Sequence, residues 1–128
     1  MHNNAVAFVM ILVAAFLAAC SGEYEQSRLD LNSPQAAKVN AMIADLRDAG
    51  PDGMEAVIAR DGVPEQADAL KQVLLPIAQA DDVQLTRLMA YGDNILAVNI
   101  LLTTDGQQKA MNLLLKGKGK NVQWLGMQ

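Results

Sequence analysis

The dipeptide Asp105-Gly106 lies between two apolar runs, and it constrains the fold of this 128-residue chain more than any other feature. Asp-Gly between such runs is typical of a two-residue turn that joins antiparallel strands. A turn of this length fixes the register of the pair and sets Asn99 opposite Asn112. Residues 95–104 and 107–116 are therefore predicted to form a β-hairpin of defined register.

The period of the apolar residues changes near residue 82. After that point, alternation predicts two further strands, over residues 83–91 and 121–127. Before it, helical spacing with capping signals predicts helices over 34–49 and 52–62, and a third helix from Pro64 that kinks or ends near residue 75. Helices followed by a meander of strands indicate an α+β domain over residues 33–128, with two or three N-terminal helices packed on a four-stranded antiparallel sheet.

The hairpin register divides the side chains of the sheet between two faces. One face is wholly apolar and is expected to lie under the helices, with Trp124 beside Leu113 if the last turn pairs Lys116 with Asn121. The opposite face, which we call the second face, is apolar around a polar centre. It holds Ala97, Asn99, Leu101, Ala110, Asn112, Leu114, Leu125 and Met127. If Gly92-Asp93-Asn94 is a three-residue loop, the first strand adds Leu85, Arg87, Met89 and Tyr91, with Arg87 opposite Asn99. A two-residue Asp93-Asn94 loop would instead send Arg87 to the other face.

The second face is too apolar for a sheet that needs only one buried face. Three roles are possible for it. It lines a ligand cavity in which Arg87, Asn99 and Asn112 orient the ligand, it forms a dimer or heteromeric interface, or it lies under the N-terminal helix. In the first two cases the ligand or partner contacts are expected from Arg87, Asn99, Leu101, Asn112 and Leu114.

Ala5 to Ala19 is a run of fifteen apolar residues, which is too short to cross a bilayer and has the length of a signal-peptide core. It ends in Leu17-Ala18-Ala19-Cys20, which resembles the lipobox of bacterial lipoproteins. The resemblance implies a signal peptide over 1–19, a lipidated Cys20 as membrane anchor and a polar tether over 20–32. An aspartate directly after the cysteine would favour retention in the inner membrane. This chain has Ser21 there, which implies attachment to the outer membrane with the domain facing the periplasm.

The element order and the last strand, Val122-Gln123-Trp124-Leu125-Gly126, are similar to small nuclear transport factor 2-like lipoproteins of bacteria, over about residues 34–127. Enzymes of that superfamily carry an Asp-His pair in a cone-shaped cavity. The only histidine here is His2, in the predicted signal peptide, so the resemblance implies a non-enzymatic member.

Composition excludes several kinds of site. Without His2 the mature chain has no imidazole for acid-base catalysis, a nucleophilic triad or a zinc site, and one cysteine excludes a disulfide framework. We expect no catalytic residue, cofactor or metal. The net charge of −4 and the 4% aromatic content argue against nucleic-acid binding.

Charge is divided along the chain, with a balance of −7 over residues 21–82 and +3 over 83–128. Lys116, Lys118 and Lys120 surround one turn, which is more often a solvated turn that resists aggregation than a binding site. The leading hypothesis is a lipid-anchored envelope protein that binds a protein partner or itself, including an inhibitor or immunity protein whose acidic half meets a basic enzyme. The alternative is a small-ligand-binding or vestigial enzyme domain with a cavity on the second face.

Overall fold

Five antiparallel strands form one sheet, and two helices pack on one of its faces. The structure is a computed structural model that describes residues 26–118 and 121–128. The strands lie side by side in chain order: β1 (Gln26–Arg28), β2 (Asp82–Tyr91), β3 (Ile95–Thr104), β4 (Gln107–Lys118) and β5 (Asn121–Met127). The helices are α1 (Pro34–Asp61) and α2 (Ala67–Gln79), with a 3₁₀ turn over Pro64–Gln66 between them. The predicted α+β class, with helices on an antiparallel sheet, is confirmed.

Two of the predicted helices form the single kinked helix α1. It begins where predicted, with the Ser33 hydroxyl accepting a hydrogen bond from the Ala36 N–H at 3.2 Å. Gly50 leaves the helical conformation at φ 69°, and the helix resumes at Pro51, whose fixed φ suits a first helical position. Of the two outcomes predicted near residue 75, a kink or an end, the end does not occur: helix α2 continues through Pro76 to Gln79, because a proline in the last turn removes only one backbone hydrogen bond.

The hydrophobic core lies between the helices and the face of the sheet that we call the inner face. From the sheet it takes Leu85, Leu88, Leu96, Val98, Ile100, Leu102, Met111, Leu113, Leu115, Val122 and Trp124. From the helices it takes Ala36, Val39, Met42, Ile43, Leu46, Met54, Val57, Ile58, Leu70, Leu74 and Ile77. Both helices therefore bury their apolar sides on the same face.

The central register agrees with the prediction. Asn99 pairs with Asn112, and the turn residues Asp105 and Gly106 both have positive φ, 52° and 80°, as a two-residue hairpin turn requires. The loop over 92–94 has three residues, so Arg87 pairs with Asn99 as expected.

The first two strands differ from the sequence-based expectation in two respects. The segment predicted as a tether contains β1, which pairs with β2 from Gln26 opposite Tyr91. The register of β2 shifts between Leu85 and Arg87, so Leu85 faces the core and not the second face. An extra residue, Thr86, forms this bulge.

The last hairpin also differs from its predicted register. Strand β4 runs on to Lys118, which pairs with Asn121, and a second shift sets Trp124 opposite Leu115 and Met127 opposite Leu113. Trp124 is buried as predicted, but Met127 lies on the side of the inner face. Leu125 has no cross-strand partner in this register.

The predicted signal peptide, Cys20 and residues 21–25 of the predicted tether lie outside the described residues. Within residues 26–118 and 121–128, no helix combines the length and apolar character needed to cross a membrane.

Candidate functional site

The centre of the second face is a polar row that crosses three strands. Arg87 of β2 lies opposite Asn99 of β3, which lies opposite Asn112 of β4. The side-chain amide of Asn99 donates a hydrogen bond to the side-chain oxygen of Asn112. Arg87 is exposed, and no carboxylate of residues 26–118 or 121–128 lies within 4.0 Å of its guanidinium. The three predicted polar residues are thus brought together.

The asparagine pair keeps most of its hydrogen-bonding capacity. A carboxamide offers two N–H donors and an oxygen with two lone pairs. Within the described part of the chain, the one bond between Asn99 and Asn112 is the only side-chain hydrogen bond of either amide. Donors and acceptors therefore remain at the centre of the face, with the five N–H donors of Arg87 beside them.

Apolar residues flank this row on both sides. Toward the Asp105-Gly106 turn, half-buried Leu101 lies opposite exposed Ala110. Toward the other end of the sheet, Ala97 lies between Met89 and half-buried Leu114. Ala97 is only 3% exposed, because a small side chain is enclosed by larger cross-strand neighbours about 5 Å away.

The helices do not cover the second face. All strand residues that share a core with α1 and α2 belong to the inner face. The expectation that the N-terminal helix lies on the second face is therefore wrong for α1. The physical reason is that α1 and α2 have one apolar stripe each, and both stripes pack on the apolar centre of the inner face around Val98 and Leu113.

Strand β1 extends the second face at its edge. Arg28 lies opposite Met89, and Gln26 lies opposite Tyr91. Sequence reasoning missed both residues, because β1 consists of three exposed polar residues with no apolar alternation. The second face thus gains a second exposed arginine near Arg87.

Three cavities lined by described residues lie away from the polar row. The largest of these three, of about 460 Å³, lies between Pro76 and the Thr104–Lys109 hairpin tip. Another, of about 200 Å³, lies between Gln35 and the end of β4 at Lys118, and one of about 270 Å³ lies between Val73 and Met127. None of these three is lined by Arg87, Asn99, Leu101, Asn112 or Leu114.

The ionisable groups with shifted pKa values lie on the helices. The Lys71 ammonium donates a hydrogen bond to Glu55 at 2.7 Å, which lowers the pKa of Glu55 and raises that of Lys71. Hydrogen bonds to Asp61 raise the pKa of Arg60. These are exposed ion pairs, and the first of them fastens α1 to α2. Among the described residues no group of three or more His, Cys, Asp or Glu side chains is placed to hold a metal ion.

No protein-family model matches this chain, and comparison with curated proteins and with solved structures finds no match either. The candidate site is therefore defined by the chain's own residues. Arg87, Asn99 and Asn112 form its centre, and Leu101 and Leu114 form its apolar flanks.

Proposed function

We propose that this protein is a lipid-anchored component of a bacterial cell envelope, which binds a protein partner through the second face and has no catalytic activity. The lipobox-like Leu17-Ala18-Ala19-Cys20 supports the anchor, and Ser21 supports the outer membrane facing the periplasm. The observation that carries the binding role is the second face itself, where apolar side chains surround the Asn99–Asn112 pair and neither helix packs.

The dimensions of the second face suit a protein partner. Strands of ten residues at about 3.3 Å per residue, four of them about 4.8 Å apart, make a patch of roughly 600 Å². One partner in a stable complex contributes about 800 Å², so the patch with its rim approaches that size. Leu101 and Leu114 supply apolar contact area, and a partner that left the amides of Asn99 and Asn112 unpaired would lose affinity.

The charge distribution favours one particular class of partner. Asp81, Asp82 and Asp105 lie together at one end of the sheet, where the Asp105 N–H donates to the Asp81 carboxylate at 2.9 Å. A basic enzyme would be steered toward such an end, as an inhibitor or immunity protein requires. The alternative is a small ligand or vestigial active site on the second face, and it would need a cavity that includes Arg87 and Asn99.

Replacing Leu101 with glutamate tests the partner interface. A photo-crosslinking residue at exposed Ala110, which lies opposite Leu101, reports the protein that lies against the second face in intact cells and leaves the asparagine pair in place. Sedimentation of the purified protein reports self-association. We expect Leu101→Glu to abolish the crosslink or the self-association, because a charge buried in an interface without a partner is costly. The far-ultraviolet circular dichroism spectrum should not change.

Met127→Glu is the matched control, because Met127 is an exposed apolar residue, 56% accessible, on the side of the inner face. It should leave the crosslink intact. Equal crosslinking in both variants would contradict the partner interface. A Leu101→Glu protein that loses several kcal/mol of stability would favour the ligand cavity.

Replacing Cys20 with alanine tests the anchor. The variant should incorporate no radioactive fatty acid and should accumulate as a longer precursor, since acylation of the sulfur precedes cleavage in proteins with this motif. Cys20→Ser is a useful second variant, because it keeps a polar side chain of similar size and should also fail to be labelled. Equal labelling of wild type and variants would overturn the proposed anchor.

A further inference from the structure

Strand β1 determines where the chain enters the domain. Gln26 pairs with Tyr91, the last residue of β2, and β1 runs antiparallel to β2. The chain therefore enters the sheet beside the loop over 92–94. Cys20 precedes Gln26 by six residues, which span at most about 22 Å even when fully extended. An anchor on Cys20 is thus held close to this end of the sheet, which we call the anchor end.

Two exposed lysines lie at the anchor end. Lys116 is opposite Ile95, and Lys118 is opposite Asn121, so the end of β4 lies beside the loop over 92–94. The end of β4 contacts this loop, since the Gly117 N–H donates a hydrogen bond to the Asn94 carbonyl at 2.7 Å. Asp93 in the loop offsets one positive charge.

The opposite end of the sheet is acidic. Asp81, Asp82 and Asp105 lie there, and Arg47 contacts the Asp81 carbonyl oxygen at 2.7 Å. Lys109, two residues into β4, lies near this end and provides an internal comparison. Among the described residues, Lys116 and Lys118 therefore lie near the entry of the chain and the three aspartates lie away from it, while Glu23 and Glu25 carry negative charge in the segment just before Gln26.

We infer that Lys116 and Lys118 form a membrane-contact surface, which rests on anionic phospholipid headgroups and holds the sheet upright with the second face open to a partner. The inference rests on the proposed lipidation of Cys20. Each lysine near an anionic surface contributes about 1 kcal/mol, which corresponds to about a fivefold preference for the docked orientation. The effect requires contact within about 10 Å and is screened by salt.

Lysine footprinting of the full lipidated chain tests this orientation. The protein is reconstituted in phosphatidylcholine vesicles with and without 30% phosphatidylglycerol, and acetylation by acetic anhydride is followed for each lysine by mass spectrometry. Phosphatidylglycerol should slow acetylation of Lys116 and Lys118 at least about fivefold, while Lys109 reacts at an unchanged rate. Lys118→Glu should restore the rate at Lys116, and the matched Lys109→Glu should not.

Each other outcome overturns the inference at an identifiable step. Equal slowing of Lys109, or none at Lys116 and Lys118, would show that the anchor end does not dock. Slowing that is the same in vesicles of phosphatidylcholine alone, or that persists in 1 M salt, would show that anionic headgroups are not responsible. The mass of the intact protein shows whether Cys20 carries acyl groups. A protein without them would overturn the proposed function, whereas an acylated protein whose lysines are not protected would overturn only the docking surface.

Discussion

Replacing Trp124 with alanine tests the packing that joins the last strand to the helices. Trp124 is fully buried on the inner face opposite Leu115, and its carbonyl accepts a hydrogen bond from Val63 at 2.9 Å. A buried aromatic side chain removes about 150–250 Å² from water, which at about 25 cal/mol per Å² is worth roughly 4–6 kcal/mol. Alanine retains a little of that area and the cavity collapses only in part, so we expect a loss of about 3–5 kcal/mol.

A phenylalanine variant separates the ring from its polar group. The indole N–H of Trp124 is buried and has no hydrogen-bond partner in the part of the chain that the structure describes. A buried unsatisfied donor costs about 1–3 kcal/mol, and Trp124→Phe removes it while keeping an aromatic ring. The loss of unfolding free energy should therefore stay below about 1.5 kcal/mol.

The assay is urea unfolding of the chain without its first 19 residues, followed by circular dichroism at 222 nm. A loss below about 1 kcal/mol for Trp124→Ala would show that β5 is not packed as described, because that is less than a large core truncation costs. A phenylalanine variant that loses as much as the alanine variant would refute the argument about the indole N–H.

Two further predictions concern backbone strain and pH. Gly117→Ala should lower the free energy of unfolding by about 3 kcal/mol or more, because φ is +128° and a Cβ would lie 1.9 Å from a carbonyl oxygen of β5. Gly50→Ala should lower it by only about 1–2 kcal/mol, because φ is +69° but the space around a Cβ is open. Equal losses of the two variants in urea unfolding would contradict this explanation. Glu55→Gln removes the ion pair with Lys71, which lowers the pKa of Glu55 in the folded state. The ion pair therefore stabilises the fold above pH 4.5, and this stabilisation is lost as the pH falls through the lowered pKa. The difference in melting temperature between wild type and Glu55→Gln should therefore shrink below pH 4.5 and in high salt, and a constant difference to pH 3 would exclude the ion pair as its cause.

The first hairpin was predictable because its turn residues carry the conformational information. Asp105 and Gly106 both need positive φ, which few residue pairs supply, and the alternation on either side agrees with the resulting register. The second hairpin was less predictable. Gly117 adopts a φ that lets β4 continue past the expected end, and nothing in the pattern of side chains marks that position.

Strand β1 could not be predicted from side-chain periodicity. Its three residues are exposed on both faces of the sheet, so neither face required an apolar residue. Main-chain pairing with β2 holds it, and Leu29 continues the contact through a hydrogen bond to the Leu88 carbonyl at 2.8 Å. Hydrogen bonds of this kind are available to almost any sequence, which is why an edge strand leaves a weak pattern.

The two bulges decide the composition of the second face. In a regular strand the side chains of Leu85 and Arg87 would lie on the same face of the sheet. The extra residue Thr86 places Leu85 in the core and leaves Arg87 in the polar row. The Thr86 hydroxyl donates a hydrogen bond to the Asn99 carbonyl at 3.0 Å. The shift in β5 likewise moves Met127 to the side of the inner face.

Both shifts therefore remove an apolar side chain from the second face, so polar side chains make up a larger fraction of that face. Obligate interfaces resemble a divided hydrophobic core, whereas partners that associate and separate use smaller surfaces of mixed polarity. A patch of roughly 600 Å² around Asn99 and Asn112 belongs to the second kind. Under the proposed function, a face of this size and polarity therefore favours reversible binding of the partner over a permanent subunit interface.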